Sequence, residues 1–315
     1  MRNSILIFLI LMICASCGVK KELWDNHCHV FSKELYGHLK FNARGSEHLT
    51  GSHEKYSNID SILLNNSADK VVLISTGYAY SYRPHRYLPE QIEALLKLEN
   101  NYLSDIIQTD KNKLLGFYGV NPLEPFALSE IKRCHTTLNF HGIKMHFHSS
   151  KVDLLDEETV SKLKPIFAYI QEHSIPVIIH FKNHKWDFNK KDIAVFFNKI
   201  IDLSKPTTLI FAHMGGDGLI TEKTIETVTE ILSYSENSKL KLYFDLSAIV
   251  YKDFFEDIEV SDIEKKNLLN KVGFDRLLFG SDYPARTYGE YVILLTDRLK
   301  LSKKELKQIL TNNIY

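Results

Sequence analysis

Two histidines two residues apart, His27 and His29, stand in the stretch Trp24-Asp25-Asn26-His27-Cys28-His29-Val30. The stretch reads as a β-strand, on which residues i and i+2 share a face, so the two imidazoles aim together and Cys28 faces away. Neutral imidazole is a common ligand for zinc and similar ions, so this pair could hold a divalent metal. A lone His-x-His is also an ordinary packing pair, and its weight here comes from residues further along. Lys144, His146, His148, His180, His213, Asp245 and Asp282 each stand at or just past the end of a later apolar run.

Those runs have a regular order. After the first strand, segments of strand length recur at 70–76, 114–120, 142–147, 176–181, 208–213, 241–247 and 276–280. Helical spacing of apolar residues fills 91–110, 127–138, 157–172, 192–203, 221–235, 253–272, 290–299 and 302–311. Continuous apolar strands alternating with helices imply a parallel sheet buried on both faces, and eight of them predict a (β/α)8 TIM barrel in a single domain. A doubly wound open sheet would announce a Gly-rich phosphate turn after its first strand, and residues 27–32 contain no glycine. Barrel enzymes carry their chemistry at the C-terminal ends of the strands, so the polar residues converge on one mouth. Residues 30–55 show no period and are expected to form a long loop, possible lid material, before a helix at 57–66.

Composition narrows the function classes. Thirty-nine basic residues balance thirty-nine acidic ones among 315, and no single-sign stripe marks a nucleic-acid surface. The apolar fraction of 44% suffices for a large core. At the N-terminus, Arg2 precedes an apolar run over residues 5–13 and then Cys14-Ala15-Ser16-Cys17-Gly18. The run is too short to span a bilayer and suits a signal peptide over residues 1–17, with small residues before Cys17 as in a bacterial lipoprotein cleavage site. The barrel domain is expected over residues 18–315, behind Cys17 as the lipidated first residue of a chain anchored in a bacterial cell envelope; a plain secretory signal giving a soluble periplasmic or secreted protein is the alternative. Residues 18–23 reach at most roughly 20 Å, so an anchor would hold the bottom of the barrel to the membrane. Cys14 would leave with the signal and Cys17 would be acylated, so only Cys28 and Cys134 remain in the mature domain, which is no disulfide framework.

Five motifs in this order carry a resemblance: Asp25-Asn26-His27-Cys28-His29, His141-Gly142-Ile143-Lys144-Met145-His146, Ile175-Pro176-Val177-Ile178-Ile179-His180, Phe211-Ala212-His213-Met214-Gly215-Gly216, and Asp275-Arg276-Leu277-Leu278-Phe279-Gly280-Ser281-Asp282-Tyr283-Pro284. The chain resembles the amidohydrolase superfamily, in its amidohydrolase-related branch of metal-dependent hydrolases and decarboxylases. The resemblance implies that His27, His29, His180 and Asp282 ligate one metal, with His213 orienting or protonating the substrate. Lys144 stands where some relatives carry a carboxylated lysine bridging two metals; a cation fixing a substrate carboxylate is the reading favoured for this branch. The expected cofactor is one Zn2+, with Mn2+ or Fe2+ as substitutes.

Three imidazoles and a carboxylate leave a coordination position open, and water there acquires a pKa of about 7. Asp282 and His213 are then the catalytic pair, the first moving the proton and the second polarising the carbonyl under attack. The leading expectation is a hydrolase of an amide, ester or lactone. A non-oxidative decarboxylase of an unsaturated or aromatic acid is the alternative, and a lipoprotein that merely binds a ligand is a third. Arg286 and Trp186 are substrate-contact candidates, as are His184 and the Tyr78, Tyr80, Tyr82, Arg83, His85 and Arg86 loop. Asp245 reads as a hydrogen-bonding partner for His213 or the backbone at least as well as a catalytic residue. The oligomeric state and the substrate are not legible.

Overall fold

The computed structural model describes residues 21–42, 52–82, 87–182, 188–236, 238–250 and 259–315. Eight parallel strands follow one another in sequence order: β1 (Trp24–Val30), β2 (Lys70–Ser75), β3 (Leu114–Val120), β4 (Gly142–His146), β5 (Val177–His180), β6 (Thr207–Phe211), β7 (Leu240–Asp245) and β8 (Leu277–Leu278). Helices cover the outside, the longest at Pro89–Thr109 and Glu157–Glu172. The result is a nearly closed barrel of the (β/α)8 kind. Among the described residues no helix is long and apolar enough to cross a membrane.

The seam between β8 and β1 carries backbone bonds from Asn26 N to Phe279 O, Asp282 N to His27 O and His29 N to Tyr283 O, each 2.8 Å. The Asp25 carboxylate staples the same seam, accepting from Ser281 N at 2.9 Å and from Asn66 Nδ2 at 2.7 Å. Burial pushes this carboxyl up to about 6.

Alternation along the strands sorts the core into two layers. Trp24, Val72, Ile74, Leu115, Phe117, Ile178, Ile210, Ala212 and Leu278 fill the barrel's interior. Their neighbours Val71, Leu73, Ile143, Met145, Val177, Ile179, Leu209 and Phe211 pack outward against the helices. The interior is therefore a packed core below and a polar layer above, as barrels require. At the lower end, Tyr315 stacks on Trp24 with centroids 5.7 Å apart.

Three expectations are corrected. Residues 30–55 are not one long loop: Lys33–Asn42 is helical, with Leu35 and Tyr36 buried against the core. The helix expected at 57–66 is two short pieces, Glu54–Ser57 and Ile59–Leu64, because the Asn58 side chain caps the second by accepting from Asp60 N and Ser61 N. The eighth strand shrinks to two residues, since Phe274–Arg276 forms a 3-10 turn and the chain beyond Leu278 pairs with β1 only through isolated bonds. Of the helix expected over 253–272, Asp262–Val272 is observed and residues 253–258 lie outside the described residues.

Candidate metal centre

The first strand positions its histidines with a device that alternation alone does not contain. Its pairing with β2 slips by one residue between Asp25 and Cys28. Trp24 therefore points into the barrel, and three residues later His27 does too, while Cys28 lies in the outer layer. Bulges of this kind re-aim side chains beside active sites. Gly280 on the neighbouring segment makes the close approach possible: a Cβ there would lie 2.6 Å from His27 Cβ.

His27 is fully buried, and its Nδ1 lies 2.8 Å from Asp245 Oδ2. Burial, then the nearby Lys144 charge, hold the imidazole down at about 3, so it is neutral at physiological pH. Burial opposes ionisation of Asp245, but the hydrogen bond from His27, with the Lys144 charge, outweighs it and holds the carboxyl well below its usual range. A carboxylate can only accept, so the single imidazole proton sits on Nδ1 and leaves Nε2 as a bare lone pair. That lone pair faces His29 Nε2 at 3.2 Å and Asp282 Oδ1 at 3.6 Å, and His29 Nε2 lies 3.4 Å from the same oxygen. Thr76 Oγ1, 3.0 Å from His29 Nδ1, steadies the second ring.

His213 enters from the turn after β6, Ala212–Gly215, with left-handed backbone at φ 52°. Met214 at 57° and Asp282 at 56° are left-handed too. Non-glycine residues held in this region cost energy and cluster at functional sites. His213 is secured through its backbone N, which donates to Asp245 Oδ1 at 3.0 Å, and through Nδ1, 3.0 Å from the Ser247 carbonyl. A carbonyl can only accept, so here too Nδ1 carries the proton and the other nitrogen is free. Ligand atoms of His27, His213 and Asp282 all lie within 4.8 Å of one another. Around Asp282, burial is outweighed first by the His29 hydrogen bond and then by the imidazoles gathered around it, which hold the carboxyl ionised far below its usual range.

These residues fit a divalent cation. Two nitrogens on one ion at about 2.0–2.1 Å sit ~3.0–3.4 Å apart, which matches the His27–His29 separation. The imidazole–carboxylate donor set suits zinc, manganese or iron alike. Lys144 is 1% exposed, and its Nζ lies 3.5 Å from His27 Nε2, inside this cluster rather than across the mouth from it. Burial lowers the ammonium to about 8.

His180 stands slightly apart. It pairs in register with His146, and the two rings stack with centroids 3.9 Å apart. Its Nε2 lies 2.7 Å from Asp217 Oδ1, and its ring centroid is 5.2 Å from that of His213. The structure thus gathers His27, His29, His213 and Asp282 closely and places His180 at their edge. Arg286 lies on the loop after Asp282, its Nη1 donating to Ala285 O at 3.3 Å. Tyr78 and Tyr80 are buried in a 3-10 turn, Gly77–Tyr82, rather than on a solvated loop, and Tyr78 meets His146 at 5.3 Å. Cys17, Arg83, His85, Arg86, His184 and Trp186 lie outside the described residues. Sequence reasoning missed Ser247, Thr76 and Asp217. Only Asp217 had a signal, as the acidic residue among glycines in Gly215-Gly216-Asp217-Gly218.

Fold and site together define a (β/α)8 barrel with a candidate metal centre, and comparison gives the class. A family model described as amidohydrolase matches residues 86–315, and the chain belongs to that family. No curated protein matches the sequence significantly. Among solved structures, 5-carboxyvanillate decarboxylase from Sphingomonas paucimobilis is similar at TM-score 0.59 and 12% identity, covering 92% of this chain and 96% of that one. The 5-carboxyvanillate decarboxylase of Novosphingobium aromaticivorans, complexed with manganese and 4-hydroxy-3-methoxy-5-nitrobenzoic acid, gives 0.61 and 17% over 92% and 94%. The 2,6-dihydroxybenzoate decarboxylase from Rhizobium gives 0.59 and 12% over 92% and 95%. At these identities the likeness is one of fold.

Proposed function

We propose that the protein is a metal-dependent, non-oxidative decarboxylase of an aromatic or unsaturated carboxylic acid. The observation that carries this reading is the buried Lys144 amine among the candidate ligand atoms, which places a positive charge where an acidic substrate would bind. The decarboxylases among its structural neighbours support it, and move the preference away from the hydrolase expected from sequence. Manganese in one of those neighbours likewise makes Mn2+ the proposed ion in place of Zn2+.

His27, His29, His180 and Asp282 would hold the ion, with His213 beside them. Bound there, it would supply Lewis-acid stabilisation of negative charge on a substrate oxygen. Lys144 would hold the acid by an oxygen and stabilise the electron pair that C–C cleavage leaves behind. Loss of CO2 requires a proton to replace the carboxyl on carbon. Asp282 is ionised, so it must first take that proton from an acidic group of the substrate or from solvent and then deliver it. His213, held by Ser247 and Asp245, would orient the reacting group. Arg286 and Trp186 remain proposed substrate contacts.

The ionised Asp282 also favours a second reading, hydrolysis, for which a ready general base is what water attack needs. One experiment separates the two. Full-length protein loaded with manganese is given a panel of hydroxybenzoates and unsaturated acids, with CO2 release followed, and in parallel neutral lactones, esters and amides. Turnover of the neutral esters without CO2 release from any acid refutes decarboxylation.

We also propose that Cys17 is lipidated and the chain membrane-anchored. Leu23, whose N donates to Asp69 Oδ2 at 2.9 Å beside the start of β2, lies at the end of the barrel opposite the histidines. Such an anchor would leave the mouth facing solvent. Mass spectrometry finding an unmodified N-terminus refutes it.

A further inference from the structure

We propose that Asp217 is a positioning residue that fixes the ring of His180 so that its Nδ1 is the nitrogen offered to the metal. The inference deepens the metalloenzyme reading above and rests on it. Asp217 sits on the loop after β6, where Gly218, at φ +91°, takes a backbone that favours glycine. Its carboxylate reaches across to two residues at the end of β5. Oδ1 lies 2.7 Å from His180 Nε2, and Oδ2 forms an ion pair with Lys182 Nζ.

The consequences follow from donor arithmetic. An imidazole that ligates a metal is neutral and carries one proton. Asp217 is ion-paired with Lys182 through Oδ2 and presents Oδ1 to Nε2. An ionised carboxylate only accepts, so the proton must be on Nε2 and the lone pair on Nδ1. The ring cannot readily turn to exchange them, because His146 lies flat against it at 3.9 Å and 10°. Its centroid is 5.2 Å from that of His213, on the side of the cluster. His27 is set by Asp245 in the opposite sense, with Nε2 bare. Two carboxylates thus choose opposite nitrogens on two rings. Partners of this kind commonly contribute about 10–100-fold to metal affinity.

The test measures manganese(II) affinity of the metal-stripped full-length chain by chelator competition. Asp217→Ala should weaken binding by about 10–100-fold, and Asp217→Asn by less, since its amide oxygen can still accept from Nε2. In a His180→Ala background, Asp217→Ala should add nothing further. Thermal melts run alongside, and the Asn variant serves where the Ala variant fails to fold. Unchanged or tighter binding in the Asp217 variants overturns the proposal, as does an equal loss with His180 already removed. Wild-type protein that takes up neither manganese nor zinc overturns the metalloenzyme reading itself.

Discussion

Replacing Asp245 by asparagine changes one atom in the most crowded part of the site. The wild-type carboxylate accepts from His27 Nδ1 at 2.8 Å, from His213 N at 3.0 Å and from Ser247 N at 3.1 Å, and also from the Ser247 hydroxyl. The amide has one acceptor oxygen, and keeping the backbone donors places it on the Oδ1 side. The NH2 group then faces His27 Nδ1, which must present a lone pair and move its proton to Nε2. The nitrogen that faces His29 and Asp282 becomes a donor. Manganese affinity should fall by about 10–100-fold, the range for partners that orient a metal-binding imidazole. Stability falls less, because charge-assisted hydrogen bonds at ~1.5–3 kcal/mol become neutral ones at ~0.5–1.5. That loss of about 1–2 kcal/mol lowers Tm by roughly 2–3 °C.

The pH dependence has a definite sign. Asp245 is depressed below its ordinary 3.8, so its contribution to stability is present above that pH and is lost as pH falls. The gap between wild type and variant should therefore narrow in acid. Chelator competition and differential scanning fluorimetry measure both quantities. A folded Asp245→Asn protein that binds manganese as tightly as wild type would refute the tautomer argument.

Gly280→Ala drives a Cβ to 2.6 Å from His27 Cβ and should cost about 1–3 kcal/mol with loss of metal. Gly37→Ala, on an open helix face, should instead be neutral or stabilising by up to ~1 kcal/mol, and equal melts for the two would sink the packing account. Lys144→Met, of similar volume, should leave Tm unchanged or raised, since a buried charge is removed, yet abolish turnover; an active variant excludes the substrate-binding role. Glu99 is buried and pushed up to about 7, with Oε1 accepting from Ser32 N at 3.1 Å. Its folded pKa is raised, so the stability it contributes is full below its unfolded value near 4.5 and is lost as pH rises to about 7. Glu99→Gln should accordingly gain stability relative to wild type on going from pH 4.5 to 8, by on the order of 3 kcal/mol at most. A pH-independent difference in urea titrations would refute this.

Much of the architecture was legible because it follows from repeating local patterns. Each strand that the apolar runs mark is found within a residue or two at its N-terminal end, and Leu114–Val120 and Glu157–Glu172 fall where the periodicity puts them. Boundaries failed where side chains intervene: the Asn58 cap splits one helix, and Leu35 and Tyr36 recruit a supposed loop to the core. Among site residues, the strand positions of His27, His29, Lys144 and His180 were readable because a parallel strand delivers its last inward residue to the mouth. Arg286 is only located near the site, and Trp186 and Cys17 are not described.

Sequence by itself determined the barrel class and the side chains available for chemistry, since hydrophobic period and residue type are local properties. Tertiary structure alone decided how they are oriented and paired. The bulge in β1 needs its register with β2. The tautomer of His27 depends on Asp245, 218 residues away, and that of His180 on Asp217, 37 away. A proton's position is set by whichever acceptor the fold brings within hydrogen-bond reach, and no local pattern encodes that contact.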